Sequence, residues 1–184
     1  MGETTETSTR DGVEIAIVAW ALGGVVLLLV QAIWRLTPLA VQPLVARTLG
    51  TEQACLYVAW VIFSIYAEGY RGFQKRFSPR VVARAFYLAK NPRPLHVLLA
   101  PAFCMSLFHA TRRGRIVAWG ITLMVLGFVL TVRFIPQPWR GIIDGGVVVG
   151  LGWGTAAILY FFARYLKNGR PDIDPDLPRA PASG

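Results

Sequence analysis

The chain has 184 residues, 54% of them apolar and 16% charged, a balance too greasy for an ordinary soluble domain, so part of its solvent is lipid. Its net charge of +9 would suit nucleic acid in a soluble protein, but beside apolar runs of bilayer length a Lys/Arg excess belongs to loops facing anionic lipid. The two cysteines, Cys55 and Cys104, lie in apolar segments without CxxC or Cys/His spacing, so neither a disulfide framework nor a metal site is expected.

Residues 1–12 form a polar head whose acidic, Thr-rich start is unlike the basic leader of a cleaved signal peptide. The first membrane span follows at 13–34, where 15–34 carries no charge and is rich in Val, Leu and Ala. At ~1.5 Å per residue that stretch crosses a hydrocarbon core of roughly 30 Å. Thr37, Pro38 and Pro43 then predict a break, with a surface loop to Gln53.

A second span is expected at 54–70. Tyr57, Ser64 and Glu68 fall at offsets of seven and four on one helical face, which predicts a polar seam inside the bundle. A carboxylate within a span is expensive, so Glu68 is a functional candidate, with Arg71 three residues on as the expected structural partner. Next comes a basic, aromatic stretch. Ser78 before Pro79 is a helix start and Asn91 before Pro92 a stop, which predicts a helix over 79–90. With Arg80 and Arg84 on one stripe and Val81, Val82, Ala85 and Leu88 opposite, it reads as an amphipathic helix lying at the interface. Arg71, Lys75, Arg76, Arg80 and Arg84 form the expected binding belt for anionic lipid headgroups or a partner protein.

The apolar run 95–111 contains Pro101, His96 and His109. As one straight helix it would hold the two histidines about 20 Å apart, which argues against a shared haem, and no cofactor is expected. They are read instead as an interfacial pair of possible catalytic use on a lipid. Spans at 116–132 and 142–163 follow, joined by a Pro-rich turn with Arg133, Arg140 and Asp144 at the same end. Gly146, Gly150 and Gly154 recur every fourth residue as a smooth strip for helix packing. Asp144 is expected either to pair with Arg133 or Arg140 or to mark a vestibule at the outer end. The Pro/Asp-rich tail 168–184 is expected to be disordered.

Charge decides whether 95–111 crosses. Five crossings divide the 19 cations ten against nine, whereas a segment that enters and leaves on one face divides them fifteen against four. The positive-inside rule therefore favours an all-α, polytopic bundle of four transmembrane helices plus a cytoplasmic-side re-entrant or interfacial hairpin, with both termini cytoplasmic in a bacterial inner membrane; five spans are the alternative.

No Walker loop, GxSxG elbow, HExxH helix or paired-carboxylate set is present, and no catalytic residue is assigned. The expected role is that of a non-enzymatic membrane subunit or envelope factor binding anionic lipid, a membrane protein or its own copy. A transporter or channel subunit using the Glu68 seam is the first alternative, a lipid-acting enzyme the second.

Overall fold

The computed structural model describes residues 3–168 and 173–178, with side chains described from residue 12. All its regular elements are helices: α1 (Glu3–Val45), α2 (Thr51–Ser64), a π-helix (Ile65–Phe77), α3 (Ser78–Lys90), α4 (Pro94–Leu98), α5 (Ala100–Cys104), α6 (Arg112–Val132) and α7 (Trp139–Asn168). Three are long and apolar enough to cross a membrane: Gly12–Val45 of α1, α6 and α7.

The expected break in α1 does not occur. The helix runs through Pro38 and Pro43 to Val45. Proline removes one backbone donor, and hydroxyl bonds and neighbouring helices can satisfy what it frees. Thr37 Oγ1 donates to the Ile33 carbonyl at 2.7 Å, and the Pro43 ring packs against Gly141 of α7. The helix ends two residues later, where Arg47 adopts a left-handed φ of 50° and the Thr48 amide closes on the Pro43 carbonyl at 3.2 Å.

α2, the π-helix and α3 form one uninterrupted rod over residues 51–90. Ser78 does not cap a new helix; its φ and ψ of −58° and −45° are helical and its hydroxyl donates to the Gly154 carbonyl. The change from π to α winding falls at Pro79, which has no amide to continue the wide i→i+5 pattern. The stop at Asn91 lies where expected, outside the helical region at φ −128°.

The rod runs alongside α7 in the same direction, Tyr57 against Gly145 near the start and Phe86 against Phe162 and Tyr165 near the end. α1 runs opposite: Gln137 Nε2, just before α7, donates to the Leu39 carbonyl and to Gln42 Oε1, while Ile17–Val25 of α1 lie near the far end of α7. The interior core joins Ile17, Val18, Ala21, Leu22 and Val25 of α1, Val81, Val82, Ala85 and Leu88 of α3, Phe103 of α5 and Ile158 of α7. α3 is therefore not an interfacial amphipathic helix. It is buried on nearly every side, because the rod carries it between α1 and α7 and α5 folds back over it.

α6 is the outlier. Thr111 Oγ1 caps it by accepting the Gly114 amide at 3.0 Å, yet along its 21 residues only Val132 is buried. Its apolar side chains face outward all round, as expected of a helix solvated by lipid.

Candidate functional site

The hairpin over 94–111 is built from two short helices, each opened by a proline, Pro94 and Pro101. Pro101 sits in the notch left by Gly24 of α1, and Trp20 Nε1 donates to the Val97 carbonyl at 3.0 Å. The chain then turns through two left-handed residues, Ser106 at φ 63° and His109 at φ 48°. A positive φ is uncommon in non-glycine residues and costs of order 1 kcal/mol or more, so surrounding contacts must hold this turn.

Arg84 supplies them. The sequence suggested that it faces headgroups; instead it is fully buried and stacks its guanidinium 4.3 Å from the Phe103 ring centroid. Its Nε donates to the Phe103 carbonyl at 2.7 Å, one terminal nitrogen to Phe108 and His109 at 3.2 and 3.0 Å, and the other to Pro175 and Asp176 at 2.8 and 3.4 Å. Five carbonyls of an irregular turn and of the C-terminal segment thus converge on one planar cation. The rigid fork of arginine makes this possible, and no other side chain carries as many donors. Asp176 also accepts the Thr111 hydroxyl at 2.9 Å. Residues 173–178, which fall in the expected disordered tail, are therefore strapped across the turn; the rest of 169–184 lies outside the described residues.

Folding back in this way brings His96 and His109 together. Their ring centroids are 4.7 Å apart, not the 20 Å of a straight helix. Rings this close leave no room for a porphyrin between them. They line a recess of about 200 Å³ with Tyr87, Asn91, Pro92 and Arg93. Burial lowers the pKa of both imidazoles; for His96 the neighbouring His109 adds to this, and the Arg93 and Arg84 cations act in the same direction on both. On the hairpin's inner side Cys104 is buried, which pushes its thiol up to about 12 despite the opposing pull of Arg84.

The rest of the expected belt divides. Arg71, Lys75 and Arg76 are exposed on the outer face of the π-helix, with Lys75 Nζ 4.6 Å from the Tyr70 ring centroid. Arg80 is half-buried and donates to the Arg76 carbonyl at 2.9 Å.

The polar seam and the glycine strip are two sides of one helix contact. Ser64 lies against Gly146, Glu68 against Gly150 and Phe73 against Gly154, while Tyr57 meets Gly145 and donates to the Ala40 carbonyl at 3.2 Å. Ser64 Oγ is buried without a hydrogen-bond partner among the described residues. Glu68 and Arg71 form no ion pair, because the wide π turn rotates positions three apart away from each other and packs Glu68 on α7. Among the described residues the ion pair is Arg140–Asp144, at 3.5 Å across one turn; Arg133 is exposed.

Sequence reasoning missed the lining residues Tyr87, Asn91, Pro92 and Arg93, and the reciprocal notches Gly24–Pro101 and Gly69–Trp153. Pro101 in an apolar run next to a free glycine on α1 was the available signal for the first notch; nothing local marks the second. Comparison with protein-family models, with curated proteins and with solved structures finds no match.

Proposed function

We propose that this is a bacterial inner-membrane protein of four crossings, α1, the rod, α6 and α7, with both termini cytoplasmic, and that it binds anionic lipid headgroups through Arg71, Lys75 and Arg76. The depth of these exposed cations carries the proposal. Phe73, in their midst, packs on Gly154, ten residues before the first terminal cation of α7, Arg164, and thus about 15 Å deeper along the helix. A Lys or Arg stem snorkels only part of that way, and an unpartnered cation at such depth costs several kcal/mol. Anionic headgroups drawn in along the π-helix would neutralise the three charges.

With Arg71, Lys75, Arg76, Arg80 and Arg84 left out because they lie within the rod, the remaining cations still divide ten against four, which supports the orientation, and the shared end of α1's start and α7's finish supports an even number of crossings. The seam at Glu68 ranks second as a site, since glycine backbone fills the face on which a solute path would run. Anionic lipid titrated into the detergent-solubilised protein should raise its melting temperature more than zwitterionic lipid does. In the triple variant Arg71→Gln/Lys75→Gln/Arg76→Gln the two lipids should act alike; an undiminished anionic effect in that variant would remove the proposal.

A further inference from the structure

A second group of cationic and proton-donating residues, separate from the π-helix cations, lines the recess at the mouth of the hairpin. Three cationic or proton-donating groups converge there from three segments: Arg93 from the link after α3, His96 from α4 and His109 from the left-handed turn. No hydrogen bond from either imidazole is found among the described residues, so the ring nitrogens remain available to a ligand. Opposing carbonyl charge at the α3 terminus is already spent, since the Tyr87 carbonyl accepts both the Asn91 amide at 3.0 Å and Asn91 Nδ2 at 3.2 Å. Behind the wall, Arg84 holds the carbonyls of Phe108 and His109, which fixes the turn before any ligand arrives. The volume of about 200 Å³ suits a small oxyanion with a few waters at ~30 Å³ each, and is too small for a large organic ligand.

We infer that this recess binds a phosphate group, free or at the end of a lipid, between Arg93 and the His96/His109 pair. A tetrahedral oxyanion offers oxygens in several directions at once, which suits a lining that includes one arginine and two histidines. The groups facing the anion are Arg93, Tyr87, His96 and His109, with the Arg84 cation behind; none is a carboxylate. Anion binding favours protonated imidazoles, so it should raise the midpoints at which both histidines titrate.

The chain contains only two histidines, so histidine-labelled full-length protein in nanodiscs gives a nuclear magnetic resonance spectrum of this site alone. Inorganic phosphate added to zwitterionic nanodiscs, or phosphatidic acid within the nanodiscs, should shift both imidazoles saturably. A response to phosphate alone assigns a soluble anion, and a response to phosphatidic acid alone assigns a headgroup. Arg93→Gln should weaken the response about tenfold, in keeping with loss of a charge-assisted bond. His109→Asn, which tolerates the left-handed backbone, should leave His96 responding weakly.

Imidazoles indifferent to both probes would overturn the site, as would a response to zinc ions alone or an undiminished response in Arg93→Gln. The triple variant of the π-helix cations should retain the phosphate response, which separates this site from the lipid belt.

Discussion

Replacing Arg84 by Met should free the hairpin from the bundle while leaving the helical rod intact. Methionine keeps most of the volume and the contact with Phe103 but none of the donors. The usual observation that a buried charge can be exchanged for an apolar side chain at little cost does not apply here. Its partners are backbone carbonyls, which no substitution removes; the Phe103 and Asp176 carbonyls would keep the Ser106 and Thr111 amides, and those of Phe108, His109 and Pro175 would have no donor left among the described residues. At ~1–3 kcal/mol for each unsatisfied group the three would sum to ~3–9 kcal/mol, but such terms are not additive and the turn can relieve them by opening to water. The observable loss is therefore the local docking energy, about 3 kcal/mol. Cys104 is a built-in reporter: it is buried in the hairpin with its thiol unreactive, whereas Cys55 is exposed and can be removed as Cys55→Ser. A loss of about 3 kcal/mol should speed Cys104 labelling about a hundredfold. Arg84→Lys, with three donors on a flexible stem, should fall in between. Labelling of Cys104 at the wild-type rate in Arg84→Met would refute the clamp.

Further consequences can be measured independently. Gly69→Ala and Gly146→Ala place a methyl group against Trp153 Cγ at 2.8 Å and Ser64 Oγ at 2.5 Å, and should each destabilise by ~1–3 kcal/mol in thermal melts. Gly152→Ala, with open space at that position, should be neutral or stabilising by up to ~1 kcal/mol. Because both histidines titrate below the ordinary imidazole value of about 6.5, the unfolded chain binds more protons than the folded one just below that pH. Hairpin stability should therefore rise with pH through that window and fall on acidification, read as a Cys104 labelling rate that, divided by the rate of the unfolded chain at the same pH to remove the thiolate's own pH dependence, is larger at pH 5.5 than at 7.5. The difference should shrink in His96→Gln/His109→Asn. Reporter fusions after Gly114 and Gly141 should give cytoplasmic and periplasmic signals respectively; a periplasmic Gly114 would contradict the four-crossing topology.

The apolar runs at 15–34, 116–132 and 142–163 were legible because a lipid solvent demands long uncharged helices, and α1, α6 and α7 contain them. Pro38 and Pro43 misled, since their effect on a helix depends on whether Thr37 and Gly141 compensate, which local pattern does not encode. The seam of Tyr57, Ser64 and Glu68 and the strip of Gly146, Gly150 and Gly154 were each visible, but not that they face each other. Periodicity finds a face and leaves its partner open. The π-helix was invisible for a related reason: α-helical spacing carried across 65–77 misplaces the residues after it, while Arg84 was assigned to the surface from its stripe with Arg80 within 79–90, which does not reveal what packs over that face. His96 and His109 became neighbours only through the turn at Ser106 and His109, whose left-handed backbone neither residue type advertises.

Native mass spectrometry of the protein released from bilayers of mixed anionic and zwitterionic lipid tests most directly whether Arg71, Lys75 and Arg76, exposed on the outer face of the π-helix, hold anionic lipid. Wild type should carry anionic lipids well above their bulk fraction, and Arg71→Gln/Lys75→Gln/Arg76→Gln should carry the bulk mixture. The same bound-lipid composition in both proteins would contradict the account.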